Sequence, residues 1–259
     1  SMTQLASKTL GNPANPALML LHGFMSSNAQ WLLNIEALSQ DYFLVLVELW
    51  GHGESSLPED SSSFSIPAYI LEFERIREEQ GIDHWGLIGQ SYGAGLMIHY
   101  ALLEPQRCRA IVATNSRSAF GQLINQRDDQ EQAGKQDSQN PPDFNPRNLP
   151  YHPVHARRFP AKVKEPLVAS ADAISADAIQ LGGKLGTDLN CIELLGRFQS
   201  PLLLTNGIYE TSFQPELEYL RARYPALLSI DLEAGHSVNI EAANDFNQAV
   251  LSFLKNHKC

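Results

Sequence analysis

The sequence predicts an α/β fold: a mostly parallel sheet of about seven or eight strands, flanked by helices and interrupted by an inserted lid. Three observations indicate this fold. Short apolar runs alternate with helical segments along most of the chain, which is typical of parallel strands buried on both faces. One strand is joined to the helix after it by a Gly-x-Ser-x-Gly turn at 89–93. The alternation then stops between residues 117 and 187.

The predicted strands share a continuous apolar character and a length that suits a buried sheet. In chain order they cover residues 5–10, 17–21, 42–49, 84–88, 108–114, 201–205 and 227–232. The predicted helices lie between them, and the clearest has Ser65 as its N-cap, Pro67 in its first turn and Gly81 after its end. In chain order the helices cover residues 30–38, 65–80, 96–103, 188–195, 214–224 and 240–257.

The break in the alternation divides the chain into three parts. These are a first core part (1–116), a lid insertion (117–187) and a second core part (188–259). Within the insertion, the polar composition of residues 127–142 predicts a mobile loop, and the prolines that follow exclude long helices or strands there. Residues 168–181 have helical character, ended by Gly182-Gly183. We interpret the insertion as a lid over the carboxyl edge of the sheet rather than a disordered linker, because the residues after it complete the same sheet.

The turn at 89–93 has the spacing of a nucleophile elbow centred on Ser91. A serine in this turn occupies a strained backbone position, so Gly89 and Gly93 must leave room where a Cβ would clash. The helix that begins behind Ser91 directs its positive N-terminal dipole at an alkoxide or oxyanion. The alternative is a glycine-rich turn with an incidental serine.

Two further residues follow later strands at the same predicted edge of the sheet, where ligands bind in open parallel sheets. Glu210 comes after the strand at 201–205, and His236 after the strand at 227–232. The order serine, acid, histidine is the one associated with this elbow, which predicts a catalytic triad of Ser91, Glu210 and His236. Asp231 and Glu233 are the alternative acids, but they are close in sequence to His236 and reach the far side of its ring less easily.

Backbone N–H groups of two residues are predicted to bind an oxyanion. One is that of Tyr92, directly after the nucleophile, and the other is that of Phe24, where Gly23 lets the loop turn in close. The neighbouring histidines, His22 and His52, are interpreted as structural residues that bond loop backbone rather than as catalytic bases.

Together these residues resemble the α/β-hydrolase superfamily, and the likeness covers nearly the whole chain. The matching segments are Leu-Leu-His-Gly-Phe (20–24), Trp-Gly-His-Gly-Glu-Ser (50–55), Gly-Gln-Ser-Tyr-Gly (89–93) and Ala-Gly-His-Ser (234–237). The chain departs from the pattern in its short leading strands, which favour seven strands over eight, and in its acid, which is usually aspartate. A serine nucleophile argues against relatives that attack with aspartate, such as epoxide hydrolases.

Composition excludes several classes of function. The formal net charge of −10 argues against nucleic acid as a partner, and three scattered cysteines predict neither a disulfide framework nor a metal site. No apolar run is long enough to span a membrane, and the first residues lack the pattern of a secretory signal. We therefore expect a cytoplasmic enzyme without metal or cofactor, whose partner is a small acyl substrate. The oligomeric state stays open.

The substrate is the least determined part of the prediction. We expect a small or medium carboxylic ester, with a lactone or an acyl-thioester as alternatives. The pattern Asn206-Gly207-x-x-Glu210-x-x-Phe213 is similar to the acid loop of acyl-homoserine lactone lactonases, which supports the lactone alternative. Trp31 is a candidate for the acyl pocket, although aromatic residues at such spacing are equally typical of a core. Arg157 and Arg158 belong to a basic stretch without acidic residues, which either binds an anionic part of the substrate or only aids solubility. The alternative to an enzyme is a non-catalytic ligand receptor with the same fold.

Overall fold

A computed structural model describes residues 3–121 and 144–259 of the chain. In this part, seven strands form one sheet in the order β1-β3-β2-β4-β5-β6-β7. The strands are β1 (Ser7–Leu10), β2 (Ala17–Leu21), β3 (Phe43–Val47), β4 (Trp85–Gly89), β5 (Cys108–Thr114), β6 (Leu202–Gly207) and β7 (Leu228–Leu232). Among these described strands, only β1 pairs antiparallel, with β3, and the other five pairings are parallel. The predicted fold class, including seven strands rather than eight, is confirmed.

Helices lie along the chain between the strands, and short 3-10 turns occupy residues 28–31, 61–63, 146–148, 153–155, 192–197 and 211–213. Within the described residues, the α-helices are α1 (Ile35–Ser39), α2 (Ile66–Glu79), α3 (Tyr92–Leu103), α4 (Arg117–Phe120), α5 (Ala161–Asp172), α6 (Ala176–Gly186), α7 (Gln214–Arg223), α8 (Val238–Glu241) and α9 (Ala243–Asn256). Each of these helices is too short or too polar to cross a membrane.

The core has two layers because successive strand residues point to opposite faces of the sheet. In β2, Met19 and Leu21 are buried in a cluster with residues of α2 and α3. Leu18 and Leu20, between them, are buried in a second cluster with residues of α1 and α9. Burial on both faces explains why β2 reads as a continuous apolar run rather than an alternating one.

The parallel pairing of β4, β5, β6 and β7 determines where the candidate site forms. The carboxyl ends of these strands lie along one edge of the sheet, so the residues that follow them meet there. Ser91 follows β4, Glu210 follows β6 and His236 follows β7.

The chain between α6 and β6 differs from the prediction. The expected helix over 188–195 is wrong: a 3-10 turn runs from Ile192 to Arg197 instead. Leu189 and Cys191 are fully buried, and the Cys191 N–H donates to the Ala119 carbonyl at 2.9 Å. Tertiary packing of these two side chains thus overrides local helical propensity.

The insertion contains more helix than its prolines predicted. Pro166 lies inside α5, where it removes one backbone hydrogen bond while Val163 and Leu167 on the same face stay buried. Helix α6 continues through Gly182-Gly183 to Gly186 instead of ending there. Residues 127–142, expected to be a mobile loop, lie outside the described part of the chain.

Residues 144–187 pack beside the loops that leave β2 and β7. Ile174 and Ile179 form an apolar cluster with Met25, and Val163 and Leu167 form another with Ile240. These contacts place the described part of the insertion against the core. Its interpretation as a lid, and the three-part division of the chain, remain predictions.

Candidate active site

Ser91 occupies the sharp turn between β4 and α3. Its φ of 52° and ψ of −113° are unusual for a residue with a side chain and cost on the order of 1–3 kcal/mol. The Ser91 N–H donates to the Thr114 Oγ1 at 2.9 Å, which anchors the turn to the end of β5. A Cβ on Gly89 would lie 2.5 Å from the Ala94 Cα, and one on Gly93 would meet the Leu21 carbonyl. The two glycines therefore make the turn possible, as the spacing predicts.

Glu210 and His236 are joined by a hydrogen bond. The His236 Nδ1 lies 2.6 Å from the Glu210 Oε2, and the carboxylate accepts, so the proton is on Nδ1 and Nε2 is left as a base. The side chain of Glu210 is 18% exposed and that of His236 is 43% exposed. The acid is thus enclosed, and the imidazole is open to a substrate.

The two groups shift each other's pKa in opposite directions. Burial disfavours the charged form of Glu210, but His236, Asn115 and Arg117 outweigh it, and the pKa of Glu210 is lowered. Burial likewise disfavours the imidazolium of His236, but the negative charge of Glu210 and its hydrogen bond outweigh it, and the pKa of His236 is raised. Such mutual stabilisation is what an acid that orients a catalytic histidine provides.

The loop that carries Glu210 is fixed by two side-chain amides. Asn115 bonds both backbone groups of Gly207, donating to its carbonyl and accepting from its N–H at 3.1 Å each. The Gln214 Nε2 donates to the carbonyls of Gly207 and Glu210 at 3.2 and 3.0 Å. The Tyr209 N–H donates to the Ala234 carbonyl at 2.9 Å, which ties this loop to the one that carries His236.

Phe24 and Tyr92, the predicted oxyanion donors, are neighbours in the structure, with ring centroids 5.4 Å apart. Tyr92 is the first residue of α3, so its N–H is among those without an acceptor inside the helix. On either side of Phe24 the backbone is held in place. The Gly23 N–H donates to the Gln90 Oε1 at 2.6 Å, and the Met25 N–H donates to the His52 Nε2 at 3.0 Å.

His22 and His52 bond loop backbone, which agrees with their structural interpretation. The His22 Nε2 accepts from the Leu49 N–H at 3.1 Å, and its Nδ1 donates to the Gly23 carbonyl at 2.7 Å. Burial lowers the pKa of His22 to about 4 and that of His52 to about 3. Both rings are therefore neutral near pH 7, as their accepting nitrogens require.

The three predicted substrate-binding residues lie in different surroundings. Trp31 is fully buried in the core layer that contains α9, so its position fits the core alternative. Arg157 is exposed, whereas the Arg158 guanidinium lies 3.2 Å from the Glu241 Oε1 and 5.1 Å from the centroid of the Tyr209 ring. Arg158 thus sits beside the loop of Glu210.

Sequence reasoning missed Asn115 and Arg117. Both residues follow β5 and lie close enough to lower the pKa of Glu210. Since β5 lies between β4 and β6, the sheet order was the signal that could have found them. Among residues 3–121 and 144–259, no His, Cys, Asp and Glu side chains are grouped as a metal ion would require.

Comparisons with known proteins agree with this fold. A family model described as alpha/beta hydrolase fold matches residues 16–243. Bifunctional epoxide hydrolase 2 of Sus scrofa is 34% identical over 104 residues, which are 40% of this chain and 19% of that protein. The chain therefore spans about a fifth of the length of this relative.

Two solved structures superpose on nearly the whole chain. A carboxylesterase structure from Nitrososphaera gargenis has a TM-score of 0.81 at 16% identity and covers 98% of this chain and 95% of its own. The enol-lactonase from Burkholderia xenovorans has a TM-score of 0.80 at 17% identity, with 98% and 97% covered. At these identities they show the shared fold alone. Since the family model spans well over half of the sequence, the chain belongs to the alpha/beta hydrolase fold family.

Proposed function

We propose that this chain is a serine hydrolase that cleaves a small or medium carboxylic ester through an acyl-enzyme on Ser91. The observation that carries the proposal is the 2.6 Å bond between Glu210 and His236, at the same edge of the sheet as the Ser91 turn. The Nδ1 proton of His236 is held by Glu210, so its Nε2 has the lone pair that a general base needs.

The reaction follows from these groups. The Ser91 Oγ attacks the ester carbonyl carbon while its proton passes to the His236 Nε2. The N–H groups of Phe24 and Tyr92 stabilise the tetrahedral oxyanion, which collapses as His236 gives the proton to the departing alcohol. Water then attacks the acyl-enzyme with His236 as base, and the carboxylic acid leaves. The resemblance described above implies that epoxide hydrolases attack with an aspartate, so a serine at this position argues against epoxide opening.

A series of p-nitrophenyl esters of increasing acyl length, combined with labelling by a fluorophosphonate probe, tests the proposal. We expect turnover that peaks at short or medium chains, and a probe adduct on the peptide that contains Ser91. Folded protein that neither turns over any member of the series nor reacts with the probe would instead be a ligand receptor.

A lactone is the second candidate substrate, supported by the enol-lactonase of the same fold. A lactone is a cyclic ester, so the same three residues would open it, with the leaving alcohol still attached to the acyl group. Adding acyl-homoserine lactones, a simple γ-lactone and acyl-CoA thioesters to the panel separates the alternatives. The proposal changes to lactonase or thioesterase if kcat/KM for either class exceeds that for the best open-chain ester.

We expect kcat/KM to rise with pH along a single titration curve, whose midpoint lies above 6.5, the ordinary pKa of histidine. Only neutral His236 acts as a base, so activity is lost as the pH falls and the imidazole is protonated. Because the pKa of His236 is raised, this loss sets in at a higher pH than it would for an ordinary histidine. His22 and His52 titrate far below this range. Kinetics from pH 5 to 9 and NMR titration of His236 measure the same midpoint. A value below 6.5 in both would contradict the proposed pairing.

Reversing the charge of Arg157 is expected to raise KM for acyl donors with a carboxylate or phosphate and to leave neutral esters unchanged. Arg157 is exposed, while Arg158 is already paired with Glu241, so the two must be changed separately. Arg158→Glu would place a carboxylate next to that of Glu241 and would lower the stability of the protein as well, which its melting temperature measures. Equal KM values for an acyl-CoA in wild type and Arg157→Glu would leave only the solubility role.

A further inference from the structure

We infer that Gly182, in helix α6 of the insertion, is a positioning residue that sets the geometry of the two oxyanion-binding N–H groups. The inference rests on the proposed function, because it takes Phe24 and Tyr92 as the residues whose N–H groups bind the oxyanion. Gly182 is far from both in sequence, yet it contacts each of them directly. Its role is to let the helix approach closely.

The first contact is with Tyr92. Its hydroxyl donates to the Gly182 carbonyl at 2.9 Å, and the Tyr92 side chain is buried. Further along the same helix, a Cβ on Gly186 would lie 3.2 Å from the Tyr92 Cε2. Helix α6 therefore lies against the ring of the residue that directly follows Ser91.

The second contact is with Phe24. A Cβ on Gly182 would lie 2.5 Å from the Phe24 Cε2 and 3.1 Å from its Cζ, closer than real side-chain contacts. Alanine at 182 would push this ring by about 1 Å to reach ordinary van der Waals distance. Glycine inside a helix is less stable than alanine, so the close approach is the physical reason for its presence here.

The Phe24 ring is half-buried and has three aromatic neighbours. Its centroid lies 5.4 Å from that of Tyr92, 5.5 Å from that of His52 and 5.9 Å from that of Tyr151. The backbone is bonded at the residues on both sides of Phe24, through Gly23 and Met25. The peptide unit that carries the Phe24 N–H is itself anchored, because its Gly23 carbonyl accepts from the His22 Nδ1 and from the Ser26 N–H. A push on the ring therefore strains this anchored unit and displaces the Phe24 N–H from its position.

The test compares Gly182→Ala, Phe24→Leu and the double variant in ester hydrolysis. We expect Gly182→Ala to lower kcat by up to about 10²-fold with little change in KM, the loss that a misplacement near 1 Å at the reacting groups produces. Leucine lacks the Cε2 and Cζ atoms, so Phe24→Leu should recover kcat by about tenfold or more when added to Gly182→Ala. Gly196→Ala is the matched control, because its Cβ would meet nothing closer than 3.8 Å.

Affinity for a tetrahedral inhibitor separates this role from a loss of packing alone. A trifluoromethyl ketone or boronic acid should lose affinity in Gly182→Ala in parallel with kcat, whereas the carboxylic acid product should bind as before. If Gly182→Ala does not fold, Tyr92→Phe takes its place, since it removes the bond to Gly182 and keeps the ring. It should lower kcat and inhibitor affinity together, without a change in KM.

The outcomes distinguish this inference from the proposed function. Wild-type protein without hydrolase activity would refute the proposed function before any variant is made. Active wild type with Gly182→Ala at the same kcat, or with no recovery in the double variant, would overturn the role of Gly182 and leave the triad intact.

Discussion

Replacing Ser91 by alanine is expected to lower kcat by far more than a thousandfold and to abolish labelling by a fluorophosphonate. Loss of a triad nucleophile removes the acyl-enzyme route altogether, and such losses reach about 10⁶ in kcat. The fold should be retained, because alanine can adopt the same turn and the Ser91 N–H bond to Thr114 involves only the backbone. Ester hydrolysis, circular dichroism and intact mass after labelling measure these three effects.

Ser237→Ala is the matched control, since Ser237 is the serine next to His236 and its side chain makes no helix-capping bond. This variant should retain both activity and labelling. Residual activity in Ser91→Ala above about a thousandth of wild type would exclude Ser91 as the nucleophile. Labelling lost in Ser237→Ala instead would move the nucleophile to that position.

The positions of Ser91 and His236 were predictable because each depends on a local pattern and on sheet topology. The Gly-x-Ser-x-Gly spacing is required because a Cβ at Gly89 or Gly93 would clash with neighbouring backbone atoms. The pattern therefore predicts this turn specifically. Parallel pairing then brings β4, β6 and β7 to one edge. The turn and the order of strands together place Ser91 and the Glu210–His236 pair without any long-range information.

The insertion was less predictable because its partners are distant in sequence. The basic stretch from 147 to 164 contains no acid, but Arg147 pairs with Asp172 and Arg158 with Glu241, both outside it. The stretch is thus partly neutralised by the fold. Charge counted along a sequence window does not reveal pairing across elements.

Trp31 illustrates the same limit for apolar residues. The spacing of Trp31 along the sequence is as typical of a pocket as of a core. Only its burial in the layer of the sheet that contains α9 distinguishes the core from the pocket. Asn115 and Arg117 show the converse, since no motif marks them but the position of β5 in the sheet brings them to Glu210.

Replacing Glu210 by glutamine is expected to lower kcat about 10⁴-fold while the protein stays folded. The carboxylate now accepts the His236 Nδ1 proton at 2.6 Å and favours the imidazolium. A glutamine amide can donate to Nδ1 instead, which favours the tautomer with the proton on Nε2 and leaves no base for Ser91. Kinetics with the best ester of the panel, at a pH above the His236 midpoint, measure the loss.

Two variants of the alternative acids sharpen the assignment of Glu210. Asp231 accepts from the Asn206 amide at 3.0 Å and from Arg221 at 3.1 Å, so its carboxylate is bonded away from His236. Asp231→Asn and Glu233→Gln should therefore leave kcat within about threefold of wild type, as expected of surface charges. A larger loss of kcat in either of them than in Glu210→Gln would transfer the role of the acid to that residue. A downward shift of the His236 pKa in Glu210→Gln alone, followed by NMR, would establish which carboxylate holds the imidazolium.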